Sequence, residues 1–270
     1  MSIPAGISGK GRIELAAALS QSPRFLTPVN VASALEIDET AAARKLSLWS
    51  KSGWVRRVRR GLYIGVPIEA QNPAMWSDDA LVVATEVWSP CYFSGWTAAR
   101  HWSLTEQVFR PIVVKTSNRV RTSKTRCLDH DYLVSHIDPK LMDWGLTSEW
   151  VDGVRLSFSD PARTVIELLD DPTIGGGIRH TAEILSTYLD DNDPSALVTY
   201  AERFGNKTIF KRLGYLLEVM HKDFPDVIST CQENMSEGFS KLDPGQSKNG
   251  RRIARWRLFV NISINQEEPS

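Results

Sequence analysis

Between Thr27 and Ile64 the chain sets out its signals in an order that few small folds accommodate. Thr27-Pro28 is a helix start, a threonine cap followed by proline at the first helical position, where a missing N–H costs nothing. Asp38 offers a second start after a short turn through Ile37, and Gly53 is a stop for the Ala-rich helix between them. Val55-Arg56-Arg57-Val58-Arg59-Arg60-Gly61-Leu62-Tyr63-Ile64 then reads as two short strands around a tight turn. Two helices across a brief turn, followed by a basic hairpin, predict a winged helix-turn-helix over residues 1–66.

Periodicity assigns faces to these elements. A first helix is expected over 11–20, with Ile13, Ala16, Ala17 and Leu19 as its apolar stripe. Val29, Val31, Ala32 and Leu35 continue the second helix. In the third, which runs to about Ser52, Ala43, Leu46 and Trp49 are placed inward. Thr40, Ala41, Arg44, Lys45 and Leu48 project outward. Strand alternation puts Val55 and Arg57 on one face of the hairpin and Arg56 and Val58 on the other, with Arg59-Arg60-Gly61 as the turn.

Charge gives this module a partner class. Residues 1–66 hold ten basic and four acidic side chains, and the whole chain is neutral, so the remainder carries a surplus of six negative charges. A basic module on an acidic body suits a nucleic-acid binder. The expected DNA-binding residues are Thr40, Ala41, Arg44, Lys45 and Lys51 of the third helix and Arg56, Arg57, Arg59 and Arg60 of the wing. Helix residues would read the major groove, and wing arginines would enter a minor groove or clamp its phosphates.

The remainder predicts a linker over 67–76 and a second domain over 77–270, giving an α+β chain: an N-terminal winged helix-turn-helix, then a larger mixed α/β domain. Ser77-Asp78-Asp79 is expected to cap a helix over 80–87, and a short helix over 96–102 follows Tyr92-Phe93-Ser94-Gly95. Strands are expected over 111–115 and 132–137. Asp152-Gly153 marks a two-residue hairpin. Helices follow over 160–169, 178–189, 194–204, 207–220 and 227–235. Residues 254–262 alternate like a strand returning to the domain's sheet. Lys115, Arg119, Arg121, Lys124 and Arg126 carry no acidic residue among them and form a possible second basic surface on an exposed loop.

Several function classes find no support. No run approaches the ~18 apolar residues that span a bilayer. Met1-Ser2-Ile3-Pro4-Ala5-Gly6 lacks the charged start and apolar run of a signal peptide. Three scattered cysteines, Cys91, Cys127 and Cys231, suit a reducing cytoplasm and give no metal spacing. The five histidines are equally dispersed, and no phosphate loop, dinucleotide fingerprint or nucleophile elbow is present. The chain is therefore read as a non-enzyme that needs no metal or cofactor. Asp160-Pro161 reads as a helix cap, and Arg163 with Glu167 as an i, i+4 ion pair. Gly175-Gly176-Gly177 reads as a helix stop, and Trp88, Tyr92, Phe93, Trp96 and Trp102 as core. The alternative is a nuclease or nucleotide-acting enzyme guided by the winged helix, using Asp129, Asp131 and Asp160. A third reading makes the winged helix a protein-docking module.

A set of ordered motifs adds a family. These are Gly53-Trp54-Val55 and Arg60-Gly61-Leu62-Tyr63, then Tyr92-Phe93-Ser94-Gly95-Trp96-Thr97-Ala98-Ala99 with His101-Trp102 and Leu104-Thr105-Glu106-Gln107. Ser159-Asp160-Pro161-Ala162-Arg163-Thr164, Gly175-Gly176-Gly177, Arg212-Leu213-Gly214-Tyr215-Leu216-Leu217-Glu218, Lys241-Leu242-Asp243-Pro244 and Arg255-Trp256 follow. Over most of its length the chain resembles the AbiEi-like antitoxins of bacterial type IV, or abortive-infection, toxin–antitoxin systems. The resemblance implies a winged helix that binds inverted repeats in the promoter of its own operon and represses it. It also implies a C-terminal domain that counteracts a nucleotidyltransferase-like toxin, without requiring a stable complex with it.

Overall fold

A computed structural model describes residues 8–22, 24–67, 78–247 and 250–264. The chain is mixed α+β with several sheets. It divides into two compact units, one taking residues 1–80 together with 126–131, the other 81–125 with 132–270. The expected linker lies outside the described residues from position 68 onward, as do Ser77 of the expected cap, the first seven residues and the last six.

In the first unit the order is α1 (Gly9–Gln21), β1 (Phe25–Leu26), α2 (Pro28–Leu35), α3 (Glu39–Lys51), β2 (Val55–Arg59) and β3 (Leu62–Gly65). The three strands form one antiparallel sheet in the order β1-β3-β2. Thr27 and Asn30 cap α2 reciprocally, the Thr27 N–H donating to Asn30 Oδ1 at 2.7 Å and the Asn30 N–H to Thr27 Oγ1 at 3.3 Å. Glu36, with φ of 53°, ends α2 in the left-handed region, and Asp38 accepts the Ala41 N–H to begin α3.

Leu15, Ala18, Leu26, Val31, Ala32, Ala42, Leu46, Trp49, Val55 and Tyr63 make the core of this unit. Three expectations are corrected by it. Helix α1 buries Leu15 and Ala18, while Ile13 is 73% exposed and Ala16 is exposed. Its alanines lie on every side, so composition could not select the face. In α3 the buried set is Ala42, Leu46 and Trp49, one position back from Ala43 in the first turn. Val29, at the start of α2, is exposed rather than core.

The second unit begins with α4 (Ala80–Trp88), β4 (Cys91–Phe93) and α5 (Gly95–His101). Strands β5 (Ile112–Thr116), β6 (Lys124–Cys127), β7 (His130–His136), β8 (Leu146–Val151) and β9 (Val154–Ser159) follow. The six-stranded sheet runs β6-β7-β5-β4-β9-β8, with β5 parallel to β7 and β4 parallel to β9. Asp152 (φ 49°) and Gly153 (φ 77°) make the tight β8–β9 turn, as the Asp-Gly pair predicts.

Helices α6 (Pro161–Asp170), α7 (Ile178–Asp191), α8 (Ser195–Phe204), α9 (Thr208–Val219) and α10 (Pro225–Asn234) complete the layer, close to their expected ranges. Helix α6 is buried from Ala162 to Leu169 and lies at the centre of the larger core. The expected terminal strand is corrected. It is β11 (Arg251–Ile253), a turn with Arg257 at φ 49°, and β12 (Leu258–Val260). Together with β10 (Ser240–Lys241) these form a separate small sheet, β10-β12-β11, and do not join the large one. No helix among the described residues is long and apolar enough to cross a membrane.

Candidate nucleic-acid interface

The cations of the first unit separate into those held by carboxylates and those left on the surface. On α3, Thr40, Arg44, Ser47, Leu48 and Lys51 are exposed, and Leu48 is 62% exposed. Their spacing of three and four residues makes one continuous outward stripe along the helix. Arg44 and Lys51 form no ion pair among the described residues. Asp38 and Glu39 sit at the start of α3, where they favour the helix dipole and repel phosphate. The usable positive charge of the helix therefore begins at its second turn. Ala41 is half-buried, its N–H taken by Asp38.

Lys45 is engaged within the unit. Its Nζ lies 2.7 Å from Glu14 Oε2 of α1, and both side chains are partly buried. It ties two helices together. Arg56 is likewise engaged, its Nη2 lying 3.1 Å from Asp129 Oδ2.

The hairpin presents Arg57, Arg59 and Arg60 to solvent. Its register slips between Arg57 and Arg59, so Val58 is an extra residue in β2, and strand alternation breaks there. The predicted three-residue turn is in fact Arg60-Gly61, with Gly61 at φ 76°. The left-handed geometry is what requires glycine at that point. Arg57 Nε also reaches the Arg59 carbonyl at 3.4 Å.

The second basic set is partly dissolved. Lys115 is 8% exposed within β5, between partners Tyr92 and Ser135, so it is not on a loop. Arg119, Arg121, Lys124 and Arg126 are exposed. Arg126 Nη2 lies 3.6 Å from Asp129 Oδ1, an oxygen of the same carboxylate that takes Arg56.

Residues that sequence reading marked for possible chemistry are held separately. Asp129 pairs with arginines, while Asp160 caps α6 through the Arg163 N–H and accepts the Tyr200 hydroxyl at 2.7 Å. Among the described residues no group of three or more His, Cys, Asp or Glu is arranged to hold a metal. A cavity of about 360 Å³ beside α5 is lined by Trp96, Arg100, His101, Phe109 and Phe158 among others. One of about 590 Å³ includes Arg179, Tyr215 and Arg251. Neither lining includes a carboxylate. Burial pushes the Cys91 and Cys231 thiols up to about 12, so neither is a thiolate at neutral pH.

The second unit's motifs converge on packing. Arg163 and Glu167 form their i, i+4 pair at 3.0 Å, fully buried. Tyr92 and Ser94 donate to Glu167, Arg163 donates to the Trp144 carbonyl, and its guanidinium lies over the Tyr92 and Trp144 rings. The Gly175-Gly176-Gly177 break leads into α7, whose first N–H is taken by Asp243 Oδ2 at 3.0 Å, so a carboxylate of the chain already occupies that helix start. Gly214 lies beneath the Trp256 indole, whose Nε1 donates to Glu218.

No family model matches the sequence, and no curated protein matches it. Among solved structures the chain is similar to the crystal structure of RV2827C protein from Mycobacterium tuberculosis. The TM-score is 0.67 over 95% of this chain and 93% of that one, at 13% identity. At that identity the likeness is one of fold alone.

Proposed function

We propose that the first unit is a winged helix-turn-helix that binds duplex DNA, and that the chain is the autorepressor and antitoxin of a type IV toxin–antitoxin system. The observation that carries the DNA reading is the partition of cations in the first unit. Arg44 and Lys51 on one stripe of α3, and Arg57, Arg59 and Arg60 on the hairpin, stay exposed, whereas Lys45 and Arg56 are spent on internal carboxylates. In this reading α3 enters the major groove, with Thr40 and Arg44 nearest the bases and Lys51 at a phosphate. The hairpin clamps the neighbouring minor groove. The operator is inverted repeats upstream of the chain's own gene.

The antitoxin part rests on the ordered motifs that resemble AbiEi-like antitoxins. The partner is a nucleotidyltransferase-like toxin, counteracted without a required stable complex. Action in the cytoplasm fits three cysteines that are all unpaired.

The test has two arms. Fluorescence anisotropy compares the native upstream duplex with a scrambled one at two salt concentrations. Preference for the native duplex, weakening with salt, supports the repressor. Equal weak binding to both sinks it. Co-expression with the neighbouring gene then reads antitoxicity as restored growth, and continued growth arrest removes the antitoxin role.

A further inference from the structure

Residues 126–131 belong to the first unit although they lie far along the chain from the rest of it. They hold the turn between β6 and β7. Leu128 (φ 45°) and Asp129 (φ 70°) both adopt left-handed backbone, a two-residue geometry that ordinarily draws asparagine or glycine. Cys127 and Leu128 are buried, so this is not a solvent loop. The Cys127 thiol donates to the Val58 carbonyl at 3.4 Å, and Val58 is the residue where the β2 register slips. Burial raises that thiol's pKa, against the pull of Arg59 and Arg56, which keeps it a neutral donor. Asp129 offers one oxygen to Arg56 at 3.1 Å and the other to Arg126 at 3.6 Å.

The hairpin has reason to need such support. Strand β2 is the edge of a three-stranded sheet whose far strand, β1, has only two residues. Four arginines in five positions repel one another along it. A carboxylate brought to Arg56 offsets that repulsion without covering Arg57, Arg59 or Arg60.

We propose that the 126–131 turn is a buttress for the basic hairpin. Asp129 is a positioning residue that acts through Arg56, and the Cys127 thiol satisfies the carbonyl at the slip. Arg126, whose side chain stays 66% exposed at its longer 3.6 Å approach to Asp129, joins Arg57, Arg59 and Arg60 as a further phosphate contact supplied by a separate stretch of chain. Only this last part rests on the DNA-binding reading; the buttress is a property of the hairpin itself.

The test uses the full chain. Asp129→Asn removes the charge and keeps a residue that tolerates left-handed backbone. Hydrogen exchange of the amides over 55–65 reads the buttress, and anisotropy with the upstream duplex at two salt concentrations reads its consequence. Exchange should quicken about two- to fivefold, as for a partly exposed ion pair. Duplex affinity should fall by a similar factor with the salt slope unchanged, since no phosphate contact is lost. Arg56→Gln should do the same, and the double variant should be no worse than either alone. Arg126→Ala should leave exchange unchanged and reduce the salt slope by about one. Unchanged exchange in Asp129→Asn overturns the buttress. Unchanged or tighter duplex binding by that variant overturns the positioning role, because it reduces Asp129 to a charge that repels phosphate. If the wild-type chain shows no preference for its upstream duplex, the DNA reading fails, and the exchange result alone still decides the buttress.

Discussion

Replacing Arg59 and Arg60 together by alanine removes two exposed cations from the hairpin tip and leaves Gly61, on which the turn depends, in place. On B-form DNA each neutralised phosphate contributes about −0.9 to the slope of log affinity against log salt. Losing two such contacts should make the slope shallower by nearly two. Between 50 and 200 mM salt, the wild-type chain should then lose about 12-fold more affinity than the variant. The matched control is Lys45→Ala. Lys45 already faces Glu14 at 2.7 Å, so its loss should leave the slope alone and cost the fold no more than about 1 kcal/mol. Anisotropy titrations at four or more salt concentrations measure both slopes on one duplex. A slope unchanged by the arginine pair would remove the hairpin from the interface. A drop of about one from Lys45→Ala would refute the assignment of phosphate contacts by ion pairing.

Three further outcomes follow from the second unit. Glu167→Ala strands the buried Arg163 guanidinium and two hydroxyl donors, and should cost about 3–5 kcal/mol in denaturant unfolding. The Arg163→Met/Glu167→Leu double variant should recover part of that loss, and a single-variant cost under about 1 kcal/mol would contradict the burial argument. Gly214→Ala drives a Cβ into the Trp256 indole and should cost about 1–3 kcal/mol or more, read by the same titration. Asp170 has its pKa raised, chiefly by burial, with Asn206, Lys115 and Arg212 pulling the other way. The penalty is absent below the unfolded value of about 3.9 and grows as pH rises through the folded value. Asp170→Asn should therefore raise the melting temperature at pH 7 and leave it unchanged at pH 3; equal shifts at both would exclude the ionisation as cause.

Local chemistry made much of the fold legible. Thr27, Asp38 and Asp160 announce helices because a side-chain oxygen must take an orphan N–H, and that demand is met within three residues. Asp152-Gly153 announces a turn for a similarly local reason. The face of α1 was not legible, because Ile13 and Leu15 are equally apolar and only the rest of the unit decides between them. Nor was the slip at Val58, which no residue type signals. The candidate site divides in the same way. Arg44 and Arg60 stand exposed where periodicity and turn chemistry put them, and Lys51, Arg57 and Arg59 are exposed with them. The ion pairs of Lys45 and Arg56 were not legible, because their partners are Glu14 and Asp129, 31 and 73 residues away in sequence. Leu128-Asp129 gave no warning either, since it lacks the Asn-Gly signature of the turn it forms.

The motifs that resemble a family raise a separate question, because most of them lie where no partner can touch them. Ser94, Arg163 and Glu167 are sealed around one ion pair; Asp243 closes the start of α7; Trp256 fills the space that Gly214 leaves. Each replaces a long-range packing problem with a specific complement, so a change in one member demands a change in the other. Such residues maintain an architecture and are poor guides to a binding surface. On the proposed antitoxin reading, its determinants lie among side chains that solvent reaches. In the second unit Arg119, Arg121 and Lys124 are exposed cations within six residues of one another, on a body whose overall charge is negative. Alanine replacement of those three should leave the fold intact, and if they serve the toxin it should abolish growth rescue while leaving operator binding in place. A variant that loses both together would instead place this loop on the DNA.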